Sequence, residues 1–102
     1  MNIDDIKGKI IAVDIDETLT NEVAWEKEDI VKSTIDEEMV EKINRLAKQN
    51  FILIYTARRD HLIPDTLKWL RRWGIEFHAI SNQKPPFDYY IDQKNLRKED
   101  LQ

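Results

Sequence analysis

Two carboxylates follow a short apolar run near the start of the chain. The run is Ile10–Val13, and Asp14 and Asp16 come soon after it. Consecutive apolar residues of this kind are typical of a strand buried on both faces of a parallel sheet. Because ligands of open α/β sheets bind beyond the carboxyl ends of the strands, Asp14 is positioned to react rather than to pack. A carboxylate in that position is a candidate nucleophile for phosphoryl chemistry.

Polar groups also follow the later apolar segments of the chain. Thr56 follows the second segment, Lys84 lies in the loop after the third, and Asp92 ends the fourth. If these segments are parallel strands, their carboxyl ends lie at one edge of the sheet. We therefore expect Thr56, Lys84 and Asp92 to gather around Asp14 and Asp16 in one crevice.

Carboxylates that converge in one crevice need a cation. Two like charges 4 Å apart repel by about 4 kcal/mol at an effective dielectric near 20. The chain has no cysteine, and oxygen ligands favour a hard ion. Mg²⁺ is the hard ion that commonly joins one or two carboxylates to a phosphate, so we expect Mg²⁺ as the cofactor.

The residue types suggest a role for each of these groups. Asp14 would attack phosphorus to give an aspartyl-phosphate, and Asp16 would give a proton to the leaving alcohol and later take one from water. Thr56 would donate its hydroxyl hydrogen to a phosphate oxygen, and Lys84 would supply a fixed positive charge. The set predicts hydrolysis of a phosphomonoester.

Strands that alternate with helices position these groups. The apolar runs predict strands over 10–13, 51–55, 75–80 and 88–92. Right-handed crossovers between such strands give a parallel sheet, here of about four strands. We expect one α/β domain over residues 1–102, with all strand ends at the same edge.

Helical spacing and capping residues mark two predicted helices. One covers 35–49, begins with a capping box at Thr34 and closes with Asn50 in the left-handed conformation. The other begins at Pro64 and ends at Gly74. The remaining polar segments are predicted to be a flap or loop over 21–32 and one frayed helical turn over 93–102.

The composition argues against several classes of protein. There are 16 basic and 20 acidic residues, and the net charge of −4 does not suit a nucleic-acid binder with a basic surface. The absence of cysteine excludes a disulfide framework, and no stretch resembles a signal peptide or a membrane span. We expect a cytoplasmic protein without nucleic-acid or membrane partners that acts on a phosphorylated small molecule.

The motifs together resemble those of the haloacid dehalogenase (HAD) superfamily of phosphatases. They are the segment from Asp14 to Thr18, Thr56 after an apolar strand, Lys84 in a loop and Asp92 after the last strand. The resemblance implies a Rossmann-like three-layer sandwich, with Asp14 as nucleophile and Asp16 as acid/base. It implies Mg²⁺ held by Asp14, the Asp16 backbone carbonyl and Asp92. Residues implied to bind phosphate or substrate are Thr18, Thr56, Ala57, Arg58 and Lys84.

A narrower resemblance concerns the size of the chain and the residues of its later motifs. These motifs are similar to those of short capless phosphatases encoded in capsule-polysaccharide loci. They are Tyr55-Thr56-Ala57-Arg58, Lys84-Pro85 and Tyr90-Ile91-Asp92-Gln93-Lys94. This similarity implies a sugar phosphate or related metabolite as substrate. The short segment between Leu19 and the first predicted helix leaves no room for a cap domain. We therefore expect an open cleft that a homo-oligomer or a bulky substrate shields from water.

Two positions depart from the pattern of the family. Glu17 stands where members commonly have Gly, although Glu is familiar there in the C-terminal-domain protein phosphatases, so a phosphoprotein substrate stays open. Gln93 replaces the second of two adjacent carboxylates. A catalytically weakened module that binds phosphate is therefore a further alternative.

Simpler roles also stay open for individual residues. Asp14 and Asp16 could be turn or capping residues, Thr56 a helix cap and Lys84 an ordinary surface lysine. Asp88 is the rival of Asp92 as metal ligand, but it lies toward the other end of its strand.

The aromatic and basic residues near these motifs have similar alternatives. Arg58 and Arg59 could hold a substrate carboxylate or phosphate, or could be solvated surface residues. Trp25 lies in the predicted flap and could cover a ligand. Surface, packing or interface roles are expected for His61, His78, Trp69 and Trp73.

Overall fold

A parallel sheet forms the centre of the molecule. The computed structural model describes residues 1–102, and its strands are β1 (Ile10–Val13), β2 (Phe51–Tyr55), β3 (Ala79–Ser81) and β4 (Tyr89–Ile91). The strand order is β3-β2-β1-β4, and all neighbouring strands are parallel. The predicted α/β class and parallel sheet are confirmed. Because β1 lies between β2 and β4, the residues after β1 are flanked by the ends of both neighbours.

Three helices accompany the sheet. They are α1 (Lys27–Lys32), α2 (Glu37–Ala47) and α3 (Ile63–Arg72), and short 3₁₀ turns cover Ile3–Asp5, Asp60–Leu62 and Lys98–Asp100. None of the helices combines the length and the apolar character needed to cross a bilayer.

The ends of α2 and α3 differ in detail from the prediction. Asp36, rather than Thr34, caps α2 by accepting a hydrogen bond from the backbone N–H of Met39. Asn50 does not adopt the left-handed conformation. Its side chain instead donates to the carbonyl of Leu46 and so satisfies one of the last carbonyls of the helix. Gly74, with φ of 69°, ends α3 as predicted.

The segment predicted as a flap or loop contains α1, so that prediction is wrong. The carboxylate of Asp29 accepts hydrogen bonds from the backbone N–H groups of Trp25 and Glu26, which fixes the first turn of this short helix. Ile30 is fully buried, and the indole of Trp69 on α3 donates to the carbonyl of Ser33. A capping residue and one buried side chain therefore make a helix from a segment that lacks helical periodicity.

The helices share a single core with one face of the sheet. Ile11 and Ile52 lie side by side in the register of β1 and β2, as do Val13 and Ile54, and all four belong to the same buried cluster as the apolar residues of the three helices. Both crossovers, from β1 to β2 and from β2 to β3, run in the same direction across the sheet. Right-handed connections of that kind place their helices on the same face.

The opposite face of the sheet carries no helix. The structure therefore has two layers instead of the three layers expected from the sequence. Ala12 and Leu53 lie on this face and stand outside the main core. Aromatic side chains surround them, with Tyr55 near Tyr90 and Tyr90 stacked on Phe87. The apolar character of all four residues of β1 suggested burial on both faces, but neighbouring aromatic side chains on the sheet cover Ala12 without a second helical layer.

The third strand begins later than predicted, at Ala79 instead of residue 75. His78 bonds to β2 through both its backbone and its side chain: its backbone N–H donates to the carbonyl of Ile52, and its imidazole Nδ1 accepts from the N–H of Ile52 at 2.9 Å. The ring also stacks on Phe51. The imidazole takes the place of a backbone carbonyl, so regular pairing starts one residue further on.

The end of the chain is held in place, which corrects the prediction of a frayed turn. The turn Lys98–Asp100 is present, and Leu101 after it is fully buried in the core. The ammonium group of Lys42 on α2 donates to the carbonyls of Lys98 and Leu101. Burial of one leucine and two charge-assisted hydrogen bonds therefore anchor this polar segment.

Candidate active site

Asp14 lies at the carboxyl end of the central strand, where its backbone is still part of the sheet. Its N–H donates to the carbonyl of Ile91 in β4. One carboxylate oxygen, Oδ1, accepts a hydrogen bond from the N–H of Ile15 at 2.9 Å. The other oxygen accepts no hydrogen bond in the protein and is free to meet a ligand.

The surroundings of Asp14 disfavour its negative charge. Its pKa is raised from 3.8 to about 6, chiefly because burial disfavours the ionised form. The hydrogen bond from Ile15 opposes this rise, the carboxylates of Asp16 and Asp92 add to it, and the guanidinium of Arg58 opposes it. Asp14 is thus a half-buried carboxylate among other carboxylates, and no cation is paired with it.

Asp16 is paired with a cation, and that cation is Arg58. The Nη2 atom of Arg58 lies 2.8 Å from Oδ1 of Asp16, and its Nε atom lies 3.4 Å from Oδ2. The N–H of Ala24 donates to the same Oδ1 at 3.0 Å. Oδ2 accepts only the longer of the two hydrogen bonds from Arg58 and is therefore the less engaged oxygen.

Arg58 is buried, with 4% of its surface exposed. Its Nη1 atom donates to the hydroxyl of Thr66 on α3, which in turn donates to the carbonyl of Leu62. These contacts fix the plane of the guanidinium, so Arg58 is not the solvated arginine that the sequence analysis left open. They also occupy the group that the family resemblance would assign to the substrate.

The turn after Asp16 is closed by hydrogen bonds to a single backbone carbonyl. The N–H groups of Thr18, Leu19 and Thr20 all point to the carbonyl of Ile15. Glu17 has φ of 61°, in the left-handed region that favours glycine. Glycine, which has no Cβ, would adopt this conformation at little cost.

Thr18 is buried, and its hydroxyl has no hydrogen-bond partner. It borders a hollow of about 240 Å³ whose wall also includes Asp92 and Gln93. A buried hydroxyl without a partner costs free energy unless water or a ligand meets it. Thr18 therefore remains a candidate for ligand or water contact.

Thr56 follows β2 as predicted and lies beside the end of β3. Its N–H donates to the carbonyl of Ser81, and its hydroxyl oxygen accepts from the N–H of Arg58 at 3.1 Å. The hydroxyl hydrogen has no acceptor within the protein, but Thr56 is fully buried and does not border the cavity next to Asp14 and Asp16. Ala57, the next residue, is exposed and lines the cavity described below.

Lys84 is exposed in the loop between β3 and β4. It forms no ion pair or hydrogen bond, and it does not border the cavity next to Asp14 and Asp16. The structure thus brings Asp14, Asp16 and Arg58 together and leaves Lys84 outside this group.

Asp92 follows β4 and lies close enough to Asp14 to raise its pKa. Its Oδ1 atom accepts hydrogen bonds from the N–H groups of Lys94 and Asn95 and from the side-chain amide of Asn95. Its Oδ2 atom accepts none. Asp88, the rival ligand, instead accepts from the N–H of Ile10 at the opposite end of the sheet.

Several oxygen atoms at this end of the sheet have no hydrogen-bond partner, and oxygen is the ligand type that suits Mg²⁺. One carboxylate oxygen each of Asp14 and Asp92 and the backbone carbonyl of Asp16 accept no hydrogen bond. Hard oxygen ligands of this kind are those Mg²⁺ prefers, and a cation there would relieve the repulsion that raises the pKa of Asp14. No three acidic or histidine side chains stand together at metal-ligand spacing, and Asp92 borders the hollow beside Thr18 rather than the cavity next to Asp14 and Asp16. The backbone carbonyl of Asp16 is the oxygen that this residue can offer to a cation, because its side chain is paired with Arg58.

A cavity of about 470 Å³ opens in front of Asp14 and Asp16. Its other lining residues come from the segment before α1 and from the segment between β2 and α3: Val23, Ala24, Trp25, Glu26, Ala57, Arg58, Arg59, His61 and Leu62. The cavity is large enough for a small metabolite. His61, for which a surface or packing role was expected, and Trp25, which was expected to be able to cover a ligand, both border it.

Tyr90 and Thr66 lie next to the candidate site residues but were not predicted from the sequence to do so. Burial, Asp14, Asp92 and Tyr55 together raise the pKa of Tyr90 to about 12. Its position in β4, two residues before Asp92, was the available signal, because alternate residues of an extended segment share a face. No local pattern connects Thr66 with Arg58, which contacts it from the preceding segment.

Comparison with protein-family models gives no match, and no curated protein or solved structure shows significant similarity to the chain.

Proposed function

We propose that the protein is a Mg²⁺-dependent phosphomonoester hydrolase that acts through an aspartyl-phosphate on Asp14. The observation that carries this proposal is the environment of Asp14. It is a half-buried carboxylate at the end of the central strand, with one oxygen free, a raised pKa and no paired cation. A structural carboxylate would be paired or solvated, whereas a nucleophile that works with a bound cation needs this setting.

The first half-reaction uses Asp14 and Asp16. The free oxygen of Asp14 attacks phosphorus, and the bond between phosphorus and the leaving oxygen breaks. Asp16 gives its proton to the leaving oxygen, so that an alcohol departs and Asp14 carries the phosphoryl group. Arg58 and the N–H of Ala24 hold Oδ1 of Asp16, whereas Oδ2 accepts only the longer hydrogen bond from Nε of Arg58, so Oδ2 is the oxygen that would carry that proton.

The second half-reaction returns the enzyme to its starting state. Water attacks the phosphorus of the aspartyl-phosphate, Asp16 takes a proton from that water, and the bond between phosphorus and Asp14 breaks. Phosphate leaves, the carboxylate of Asp14 is restored, and Asp16 is again protonated. Arg58 is a positioning residue in both halves, since it orients Asp16 without touching the substrate.

Phosphate oxygens would be met by the remaining groups. The free hydroxyl hydrogen of Thr56 would donate to one of them, and Lys84 would supply positive charge once its loop meets the substrate. Asp14, Asp92 and the Asp16 carbonyl would hold Mg²⁺, which when bound neutralises charge on the phosphate and on Asp14. The two-layer fold has no domain over the cleft, so the cavity would stay open unless a second subunit covers it.

The family basis of the proposal is the resemblance to capless HAD phosphatases. The parallel sheet supports it, because Asp14, Thr56 and Asp92 all follow strands at one edge. A small phosphorylated metabolite is the proposed substrate, and sugar phosphates are the class that the resemblance implies.

The test is release of phosphate from para-nitrophenyl phosphate with and without Mg²⁺. We expect activity that a chelator removes and that Asp14→Asn abolishes, with circular dichroism showing a retained fold. Asp88→Asn is the matched control, because Asp88 is a carboxylate at the other end of the sheet and asparagine keeps an acceptor for Ile10. Full activity in Asp14→Asn, or equal loss in Asp88→Asn, would refute the proposal.

A phosphate-binding module without turnover is the second candidate. It is favoured by Gln93, which adds no charge beside Asp92, and by the three donors that engage one oxygen of Asp92. Calorimetry would distinguish the two functions. Binding of inorganic phosphate in the presence of Mg²⁺, with no hydrolysis of sugar phosphates, phosphopeptides or aryl phosphates, would favour the module.

A further inference from the structure

One wall of the cavity is apolar and exposed. Trp25 has 76% of its surface exposed and Val23 has 37%, and both border the cavity in front of Asp14. An exposed tryptophan has no packing role in the free protein, and its ring offers a large flat surface to a ligand. This wall suits an apolar ring rather than a row of hydroxyl groups.

The apolar wall is fixed relative to the candidate catalytic residues. Asp29 accepts hydrogen bonds from the N–H groups of Trp25 and Glu26, and Ala24 is buried with its N–H bonded to Asp16. The backbone that carries the tryptophan is therefore tied directly to the carboxylate that would protonate the leaving group. A leaving group that stacks on Trp25 would lie beside Asp16.

The segment between β2 and α3, which also lines the cavity, carries a free positive charge. Arg59 is exposed, borders the cavity and forms no ion pair, in contrast to its neighbour Arg58, which is paired with Asp16. His61 borders the cavity on the same side. Glu26 lies next to Trp25 on the apolar side, so an anion would be directed away from it and toward Arg59. Carboxylate and phosphate groups are the anions that a free guanidinium binds best.

Polar side chains that could meet a polyhydroxylated leaving group are few. Apart from Asp14, Asp16 and Arg58, which already have roles, the lining offers Glu26, Arg59 and His61 as polar side chains. The other lining residues are apolar. The hydroxyl groups of a sugar would therefore find few partners among the lining side chains, and the cavity would bind them no better than water does.

We propose that the leaving group of the substrate is an aromatic ring that stacks on Trp25 and bears a second anionic group bound by Arg59. This inference rests on the proposed phosphatase function and narrows its substrate class. The phosphate would lie at Asp14, the ring along Trp25 and Val23, and the second anion at the Arg59 side of the cavity.

The experiment compares four phosphomonoesters that separate ring from charge. Para-carboxyphenyl phosphate has both features, phenyl phosphate has the ring only, phosphoglycerate has the carboxylate only, and glycerol phosphate has neither. We expect kcat/KM to be highest for para-carboxyphenyl phosphate. Trp25→Ala should lower kcat/KM about threefold to tenfold for the two aryl esters alone. Arg59→Gln should lower it about tenfold for the two carboxylates alone.

Matched control variants exist on α3 and beyond its end. Trp73 is an exposed tryptophan and Arg71 an exposed arginine, and neither borders the cavity. Trp73→Ala and Arg71→Gln should leave the order and size of the four kcat/KM values unchanged. Equal kcat/KM for all four esters, or a preference for glycerol phosphate over the aryl esters, would overturn the inference while the phosphatase function stands.

Binding separates failure of the inference from failure of the proposed function. Para-hydroxybenzoate, the alcohol that para-carboxyphenyl phosphate would release, is titrated into the wild type and the two cavity variants by calorimetry. We expect about tenfold weaker binding in Trp25→Ala and in Arg59→Gln. If no ester is hydrolysed but this pattern is found, the proposed reaction fails and the leaving-group site stands. Binding unaffected by both substitutions contradicts the site.

Discussion

Arg58 and Asp16 form a partly buried ion pair that joins the end of β2 to the turn after β1, with 2.8 Å between Nη2 and Oδ1. The guanidinium is almost inaccessible, whereas the Asp16 side chain keeps 20% of its surface exposed. One partner is thus fixed by the protein and the other faces the cavity. This asymmetry lets Asp16 keep a defined position while one of its oxygens meets a ligand.

Replacement of Arg58 should destabilise the fold. Arg58→Met leaves the Asp16 carboxylate and the Thr66 hydroxyl without their partner, and we expect a loss of about 3 kcal/mol in the free energy of unfolding. Urea denaturation measures this loss. Arg59→Gln is the control, because Arg59 is exposed and unpaired, and it should change stability by less than about 0.5 kcal/mol. Equal effects of the two substitutions would contradict a structural role for the pair.

Asp14→Asn should stabilise the metal-free protein at neutral pH. The pKa of Asp14 is raised in the folded state, so its ionisation costs more there than in the unfolded chain. This cost is full above pH about 6, falls as the pH drops toward 3.8 and vanishes below that value. After allowance for solvent screening, we expect the variant to be about 1–2 kcal/mol more stable above pH 6.

The measurement for Asp14→Asn is unfolding by urea across this pH range with a chelator present. Asparagine keeps an oxygen that can accept from Ile15, so the substitution tests the charge alone. A stability difference that is constant with pH would show that the charge of Asp14 carries no such cost.

Glu17→Gly should also stabilise the protein. Glu17 has φ of 61°, a conformation that costs about 1–2 kcal/mol for residues with a Cβ and little for glycine. Glycine loses more backbone entropy on folding, so we expect a net gain of about 1 kcal/mol. Glu17→Ala keeps the Cβ and should bring no gain. The midpoints of thermal unfolding of both variants check this, and a gain with alanine would point to the charge instead.

Mg²⁺ should raise the unfolding midpoint of the protein, and the rise should grow with the ratio of free Mg²⁺ concentration to Kd. A ligand that binds only the folded state adds about 2.7 kcal/mol when its free concentration is a hundred times its Kd. Asp92→Asn removes one proposed ligand charge and should shrink the shift in unfolding midpoint at a given Mg²⁺ concentration. Asp88→Asn should leave it intact. If Asp92→Asn shows the full shift, Asp92 does not hold the ion.

Local patterns were enough to predict the parallel sheet and most of its strand ends. The apolar run of β1 and the polar residues after it are contiguous in sequence, so Asp14 at the tip of a strand followed from the chain alone. Pro64 and Gly74 marked the limits of α3 for the same reason, because their backbone preferences act on adjacent residues. The start of β3 was misplaced because it depends on His78, whose imidazole accepts from β2.

The sequence by itself determined the α/β class and the set of strand-end residues, because burial pattern and turn chemistry are properties of neighbouring residues. Only the tertiary structure decided that Arg58 is paired with Asp16, that Trp25 and Arg59 line the same cavity, that Lys84 stays apart and that the helices cover one face of the sheet. Those relationships join segments distant in the chain, and the packing of the whole domain selects them.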